Sequence, residues 1–174
     1  MKRRHVDKRA LKAIVRLYLV FGAYLSLFVI AFHIDAVYDN VVTPFTSVVA
    51  AMSGLVMNLF GAGASVNGCI LSTQHYSINV VDGCNGVYAT AILISGVLAY
   101  PSRMREKAAG ILLGTVAIFV VNLGRVISLF YLGEHYPGIF DEVHVYAWQP
   151  IIIIWAIFVW DFWARKIRKT PAVG

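Results

Sequence analysis

The sequence predicts an all-α polytopic membrane protein: one membrane domain (1–174) with four transmembrane helices, an interfacial helix and a small external β-hairpin. Three observations carry this. Of 174 residues 59% are hydrophobic and only 14% charged. The mean hydropathy is +0.72, outside the mix of a soluble domain. Several apolar runs approach the ~20 residues that cross a bilayer, leaving little chain for a separate soluble core.

The spans fall at about 15–34, 83–102, 108–133 and 143–164. Lys and Arg near span ends mark the cytoplasmic side. Lys2, Arg3, Arg4, Lys8, Arg9, Lys12 and Arg16 accompany the start of the first span. Arg103, Arg105 and Lys107 separate the second from the third, and Arg165, Lys166, Arg168 and Lys169 end the fourth. Four crossings put all of these on one face, with both termini cytoplasmic. The acidic residues Asp35, Asp39, Asp82, Glu134, Asp141 and Glu142 then fall outside.

A fifth apolar stretch, 41–60, would set the N-terminus and the 103–107 loop on opposite faces if it crossed. It is therefore expected as a helix in or dipping into the outer leaflet, broken near Pro44. The segment 63–82 carries two runs with some β-branched alternation, Ser65 to Leu71 and Tyr76 to Val81, around Ser72, Thr73, Gln74 and His75. This suggests an external hairpin; an irregular loop is the alternative.

The remaining features are architectural. The net charge of +6 resides in membrane-flanking anchors, which argues against nucleic-acid binding. The first span has a basic n-region but no A-x-A site after it, so an uncleaved anchor is expected. Gly110 and Gly114 have the small-xxx-small spacing of close helix contacts. Pro150 should kink the fourth span. Tyr131, Tyr136, Tyr146, Trp148, Trp160 and Trp163 suit headgroup-level belts.

Arg125 is the one basic residue that no loop or tail explains. It lies eight residues before the outer end of the third span, roughly 12 Å deep by helix rise. Such an arginine usually faces a partner or a polar interior, and Asn122 and Ser128 make one face of its helix polar. The same topology brings Cys84 and His144 to the outer mouths of the second and fourth spans. A thiol beside an imidazole and a guanidinium can act as a nucleophile, the imidazole can protonate a departing amine, and the guanidinium can hold an oxyanion. Gly83 and Gly86 would let a substrate backbone approach. Taken singly, Cys84 also reads as apolar filler, His144 as an interfacial residue, and Arg125 as a packing partner of Asp82 or Glu134.

The runs Asp82-Gly-Cys-Asn-Gly-Val-Tyr-Ala89, Val121-Asn-Leu-Gly-Arg-Val-Ile-Ser-Leu-Phe-Tyr-Leu-Gly133 and Glu142-Val-His-Val-Tyr-Ala-Trp-Gln149 resemble three signature segments of the exosortase and archaeosortase family, with the compact exosortase H type the nearest. The likeness covers roughly the C-terminal two thirds. It implies a membrane-embedded cysteine transpeptidase or protease acting on secreted proteins that carry a tripartite C-terminal sorting signal: a short motif, a transmembrane helix and a basic cluster. It places the chain in a bacterial inner membrane with its site facing the periplasm, and it implies no cofactor and no metal. Carried over, Cys84 is the nucleophile, His144 the acid/base, and Arg125 the stabiliser of the oxyanion or carbonyl. Asn122 orients Arg125, while Asn85 and Gly86 complete the substrate-binding segment. Many relatives have about eight spans, twice the number found here, which leaves substrate range open.

Other classes stay open on the residues alone. Cys69 and Cys84 both face outside and would serve a membrane thiol oxidoreductase if paired, although no Cys-x-x-Cys is present. A non-enzymatic membrane helper would not need Cys84. A transporter would show midplane polar groups or inverted repeats, and neither is visible.

Overall fold

The computed structural model describes residues 8–169, so Lys2, Arg3 and Arg4 of the N-terminal basic cluster lie outside it. The architecture is helical: α1 (Lys8–Phe32), α2 (Thr43–Leu59), α3 (Val87–Ala99), α4 (Met104–His135) and α5 (Gln149–Lys169). A small sheet lies between α2 and α3. Four helical stretches are long and apolar enough to cross a membrane: Leu11–Phe32, Asp35–Leu59, Met104–His135 and Pro137–Arg168.

The second expected span, 83–102, is shorter than the hydropathy suggested: α3 has 13 residues, about 20 Å by helix rise. Both ends have a local cause. Gly86 at φ 80 closes the preceding loop with a left-handed residue. Tyr100 is extended (ψ 134) because the Pro101 ring disfavours helical geometry at the residue before it. Lys107 Nζ then donates to Leu98 O (2.7 Å), satisfying one of the last carbonyls of α3. Cys84 therefore stands on a loop ahead of α3.

Side-chain contacts give each helix its direction. Tyr88, at the start of α3, meets Phe32 at the end of α1, so the two are antiparallel. Trp155 Nε1 donates to Ala117 O and Trp163 Nε1 to Glu106 O, both at 3.1 Å, which sets α5 antiparallel to α4. Phe45, near the start of α2, meets Phe119. Residues 61–63 beyond its end share a cavity with Tyr131 and Glu134. Thus α2, expected as an interfacial helix at 41–60, stands upright beside the C-terminal half of α4. It runs in the same direction as α1 and α4 and does not fold back along α1.

Two prolines shape the helix entries. Pro44 lacks an N–H, and its ring crowds the carbonyl four residues earlier. The chain before it widens into a π-helical turn, Tyr38–Val42, in which Thr43 N donates to Tyr38 O. The expected Pro150 kink takes the same form: a π turn, Val143–Trp148, with Gln149 N donating to His144 O.

The expected hairpin is a three-stranded antiparallel meander, β1 (Ser65–Asn67), β2 (Ile70–Ser72) and β3 (Ser77–Asn79). The first run is split because Asn67 pairs with Ile70 across a two-residue loop. Gly68 opens that loop at φ +59, as a II′ turn demands. The sheet lies on α2, where Gly54 leaves room for Val66 and Leu71.

Two cores result. One joins Val49, Ala50, Met57, Leu71, Val80, Val126 and Phe130; the other joins Ala89, Leu93, Val97, Ile118, Ile152 and Ala156. Gly110 and Gly114 do mediate packing, but against side chains: a Cβ at either would collide with Trp163 or Leu93 respectively. Overpacking of this kind costs about 1–3 kcal/mol. Gly114→Leu should therefore lower the thermal midpoint of the detergent-solubilised protein. Gly22→Ala, where nothing lies within 4 Å, should leave it unchanged or raise it slightly, by at most about 1 kcal/mol.

Candidate active site

The site lies on the seam between the two cores, where three chain segments meet. Val80 is buried in the first core, and the loop that follows carries Asp82 to Gly86. Asn85 fixes that loop: its Nδ2 donates to Thr46 Oγ1 on α2 (2.7 Å) and its Oδ1 accepts from Val87 N (2.9 Å). This is an Asx turn that also satisfies a first-turn donor of α3. Expected as a substrate-binding residue, Asn85 has its amide engaged within the protein. Asp82 is tied locally too, accepting from Gly83 N (3.0 Å) and from Tyr88 Oη (3.4 Å).

Cys84 Sγ lies 2.8 Å from His144 Nε2 and 3.9 Å from Arg125 Nη2. The three residues singled out in the sequence, widely separated along the chain, thus meet at one sulfur. The His144 ring also packs beside Phe140 (5.9 Å between centroids).

Arg125 is 1% exposed. Its Nη2 donates to Gly83 O (2.9 Å) and Gln149 Oε1 (3.0 Å). Among the described residues no carboxylate lies within ion-pairing distance of it, so the packing pair with Asp82 or Glu134 is not formed. Its Nε is buried without a protein partner, and none of its hydrogen bonds uses Nη1.

Asn122, expected to orient Arg125, makes no hydrogen bond to it. The side chain is fully buried (0% exposed) with neither Nδ2 nor Oδ1 partnered in the protein. It lies directly behind Gly86, where a Cβ would come within 3.0 Å of Asn122 Cγ. Ser128 folds back to donate to Arg125 O (2.9 Å), on its own helix. In the sequence Gln149 is only the last residue of a motif, and nothing in hydropathy or charge distinguishes it.

A cleft between α3 and α5 reaches the exposed side of this constellation, lined by Gly83, Gly86, Arg125, Gln149 and Ile152. Ile92 forms part of its wall and also of a second, apolar groove of about 320 Å³ between α1, α3 and α5, which includes Phe21, Gly96, Ala156 and Trp160. The cleft opens onto Arg125 and Gln149, and neither Cys84 nor His144 lines it.

The two cysteines are free. Cys69 sits at the β1–β2 turn against Ser47 Oγ (3.4 Å) and Thr43 O (3.8 Å), while Cys84 is engaged with His144. No disulfide joins them, and the redox alternative loses its premise.

A free thiol thus lies against an imidazole and a buried guanidinium, held in a bundle of apolar helices. The family model for transmembrane exosortases (Exosortase_EpsH) matches residues 12–149, and the chain belongs to that family, in general one of cysteine transpeptidases that sort secreted proteins. No curated protein and no solved structure shows significant similarity to it.

In intact cells, a membrane-permeant maleimide should modify Cys84 at the same rate before and after Cys69→Ser. A rate that changes with Cys69 would mean the two sulfurs communicate.

Proposed function

We propose that this chain is a cysteine transpeptidase or protease that cleaves C-terminal sorting signals of secreted proteins at the outer face of a bacterial inner membrane. The observation that carries this reading is the sulfur of Cys84 set between His144 Nε2 and Arg125 Nη2.

In this reading His144 Nε2 takes the thiol proton as Sγ attacks the scissile carbonyl carbon. The C–S bond forms, and the carbonyl electron pair moves to oxygen. That oxyanion is met by the Arg125 guanidinium, whose Nη2 lies 3.9 Å from Cys84 Sγ. Preorganised donors of this kind contribute about 10²–10³ in rate. The C–N bond then breaks, His144 returns its proton to the departing amine, and a thioester to Cys84 remains. An amine, or water in the hydrolytic case, deprotonated by His144, attacks the thioester and releases the thiolate. The ring packs beside Phe140, and its Nε2 contact with Cys84 Sγ sets the direction of proton transfer.

The membrane placement follows from distance. From Lys107 to Arg125 is 18 residues, about 27 Å at 1.5 Å each, against a hydrocarbon core of ≈ 30 Å. With the basic 103–107 loop cytoplasmic, Arg125 lies just inside the opposite boundary. The sheet and the C-terminal part of α2 then sit around the part of α4 that projects beyond it. A substrate anchored in the membrane would lay its apolar segment alongside α3 and α5, where a cleft opens onto Arg125 and Gln149.

Reporter fusions after Gly61 and after Gly133 should both read as external; a cytoplasmic signal at Gly61 would reverse the direction assigned to α2. Co-expressed with a secreted protein bearing a matching C-terminal signal, Cys84→Ala should stop processing. Arg125→Ala and His144→Ala should each lower it by at least about 10²-fold. Continued processing by Cys84→Ala or Arg125→Ala would rule this mechanism out.

A further inference from the structure

We infer that Gln149 is the positioning residue for Arg125, and that the π turn before Pro150 is what brings it to the same site as His144. The inference rests on reading Cys84 as the nucleophile.

His144 and Gln149 are five residues apart. In an α-helix, at 3.6 residues per turn, that spacing places two side chains about 140° apart round the axis. Here both reach one small site: His144 Nε2 is 2.8 Å from Cys84 Sγ, and Gln149 Oε1 is 3.0 Å from Arg125 Nη2. The cause is the π turn Val143–Trp148, closed by Gln149 N donating to His144 O. A turn bonded i→i+5 brings residues five apart to neighbouring positions on one face. Pro150 favours this wider turn, since its ring would crowd the Tyr146 carbonyl in a regular α-helix and it has no N–H to donate there.

The type of acceptor matters as much as its place. Gln149 is the one side-chain oxygen bonded to Arg125 among the described residues; the other oxygen is Gly83 O, on the backbone of the nucleophile loop. A carboxylate at 149 would hold the guanidinium equally well but cancel its charge. A carboxamide holds it and leaves the charge for the sulfur and for an anion formed beside it. Arg125 anchored by Gly83 O alone would keep freedom to swing, and misplacement by about 1 Å can cost on the order of 10² in rate.

The test is a double-mutant cycle in the full-length chain carrying Cys69→Ser, purified in detergent. The probe is the rate of Cys84 alkylation by iodoacetamide at neutral pH, a measurement that needs no substrate. The titratable and charged groups around the sulfur are Asp82 on its loop, Arg125 on α4 and His144 on the π turn; only Arg125 and residue 149 are altered. Gln149→Met, similar in length but without an acceptor, should slow alkylation. Arg125→Gln should slow it on the order of 10-fold, since a nearby cation shifts thiol acidity by one to three units. Adding Gln149→Met to Arg125→Gln should then change nothing further, because the first residue acts through the second. Gln149→Glu should slow alkylation even if Gln149→Met folds poorly, because it adds a charge while retaining the acceptor. In a processing assay Gln149→Met should lower kcat on the order of 10- to 100-fold with KM changed less than about 3-fold.

Equal slowing by Gln149→Met with and without Arg125 would show a merely structural residue and overturn the inference, as would no effect of either Gln149 substitution. If the cycle closes as expected but Cys84→Ala still processes substrate, the positioning role stands and the proposed function falls.

Discussion

Arg125 is a guanidinium sealed between two apolar cores, and the solvation of that cation organises the structure around it. Taking an arginine into a membrane helix costs up to about 2.5–3.5 kcal/mol on insertion scales, the full figure applying at the helix centre. A hydrogen bond to a charged group returns ≈ 1.5–3 kcal/mol, so the two bonds from Nη2, to Gly83 O and Gln149 Oε1, are of the size needed to offset it. Neither acceptor is available by chance. Gly83 O is presented by a loop that Asn85 pins to Thr46 and to the first turn of α3. Gln149 is delivered by a helical turn of abnormal width.

The two prolines connect sequence to this arrangement in a way that hydropathy alone does not show. Pro44 and Pro150 each follow a residue that donates to the carbonyl five positions back. In the first case the widened turn leads into α2, whose Thr46 holds the Cys84 loop through Asn85. In the second it carries His144 and leads into Gln149. Both walls of the site therefore begin at a proline-induced π turn, and the apolar helices below them serve as rigid supports. The shortness of α3 belongs to the same logic: a helix that starts only at Val87 leaves Cys84 on backbone free enough to approach both His144 and Arg125.

What could be read from the sequence was whatever violates a membrane's average. Arg125 stood out as a charge inside an apolar run, and Cys84 and His144 stood out once the basic clusters fixed the parity of the crossings. Parity is blind to direction within one face, however. A helix that runs parallel to α4, as α2 does, leaves every basic cluster where a flat interfacial helix would. The third strand was hidden because Gly68 turns the chain within a run that alternates like a single strand. Gln149 was hidden for a different reason. Its relation to His144 is a spacing of five, which matches neither the α period nor the β period, and a lone amide near a span end carries no signal of its own. Asn122 is legible only as part of its motif: its amide lies behind Gly86 and makes no hydrogen bond to Arg125.

The absence of a carboxylate on Arg125 among the described residues is the most informative feature of the site's electrostatics. An arginine placed to tie helices together would gain most from an acidic partner, and Asp82 is close by in sequence to Cys84. Yet Asp82 is occupied by Gly83 N and Tyr88 Oη, and the acceptors that do meet Arg125 are neutral oxygens and the sulfur itself. The positive charge is solvated but not cancelled. In a medium of low dielectric an uncancelled cation acts strongly on any negative charge that appears near it, whether a thiolate at Cys84 or the oxygen of a tetrahedral adduct. A structural pair would have spent that field within the folded protein. Here two of its nitrogens, Nε and Nη1, remain without a protein partner, one of them fully buried. In the proposed mechanism this uncancelled cation is what a thiolate at Cys84 or the oxygen of an adduct formed there would meet.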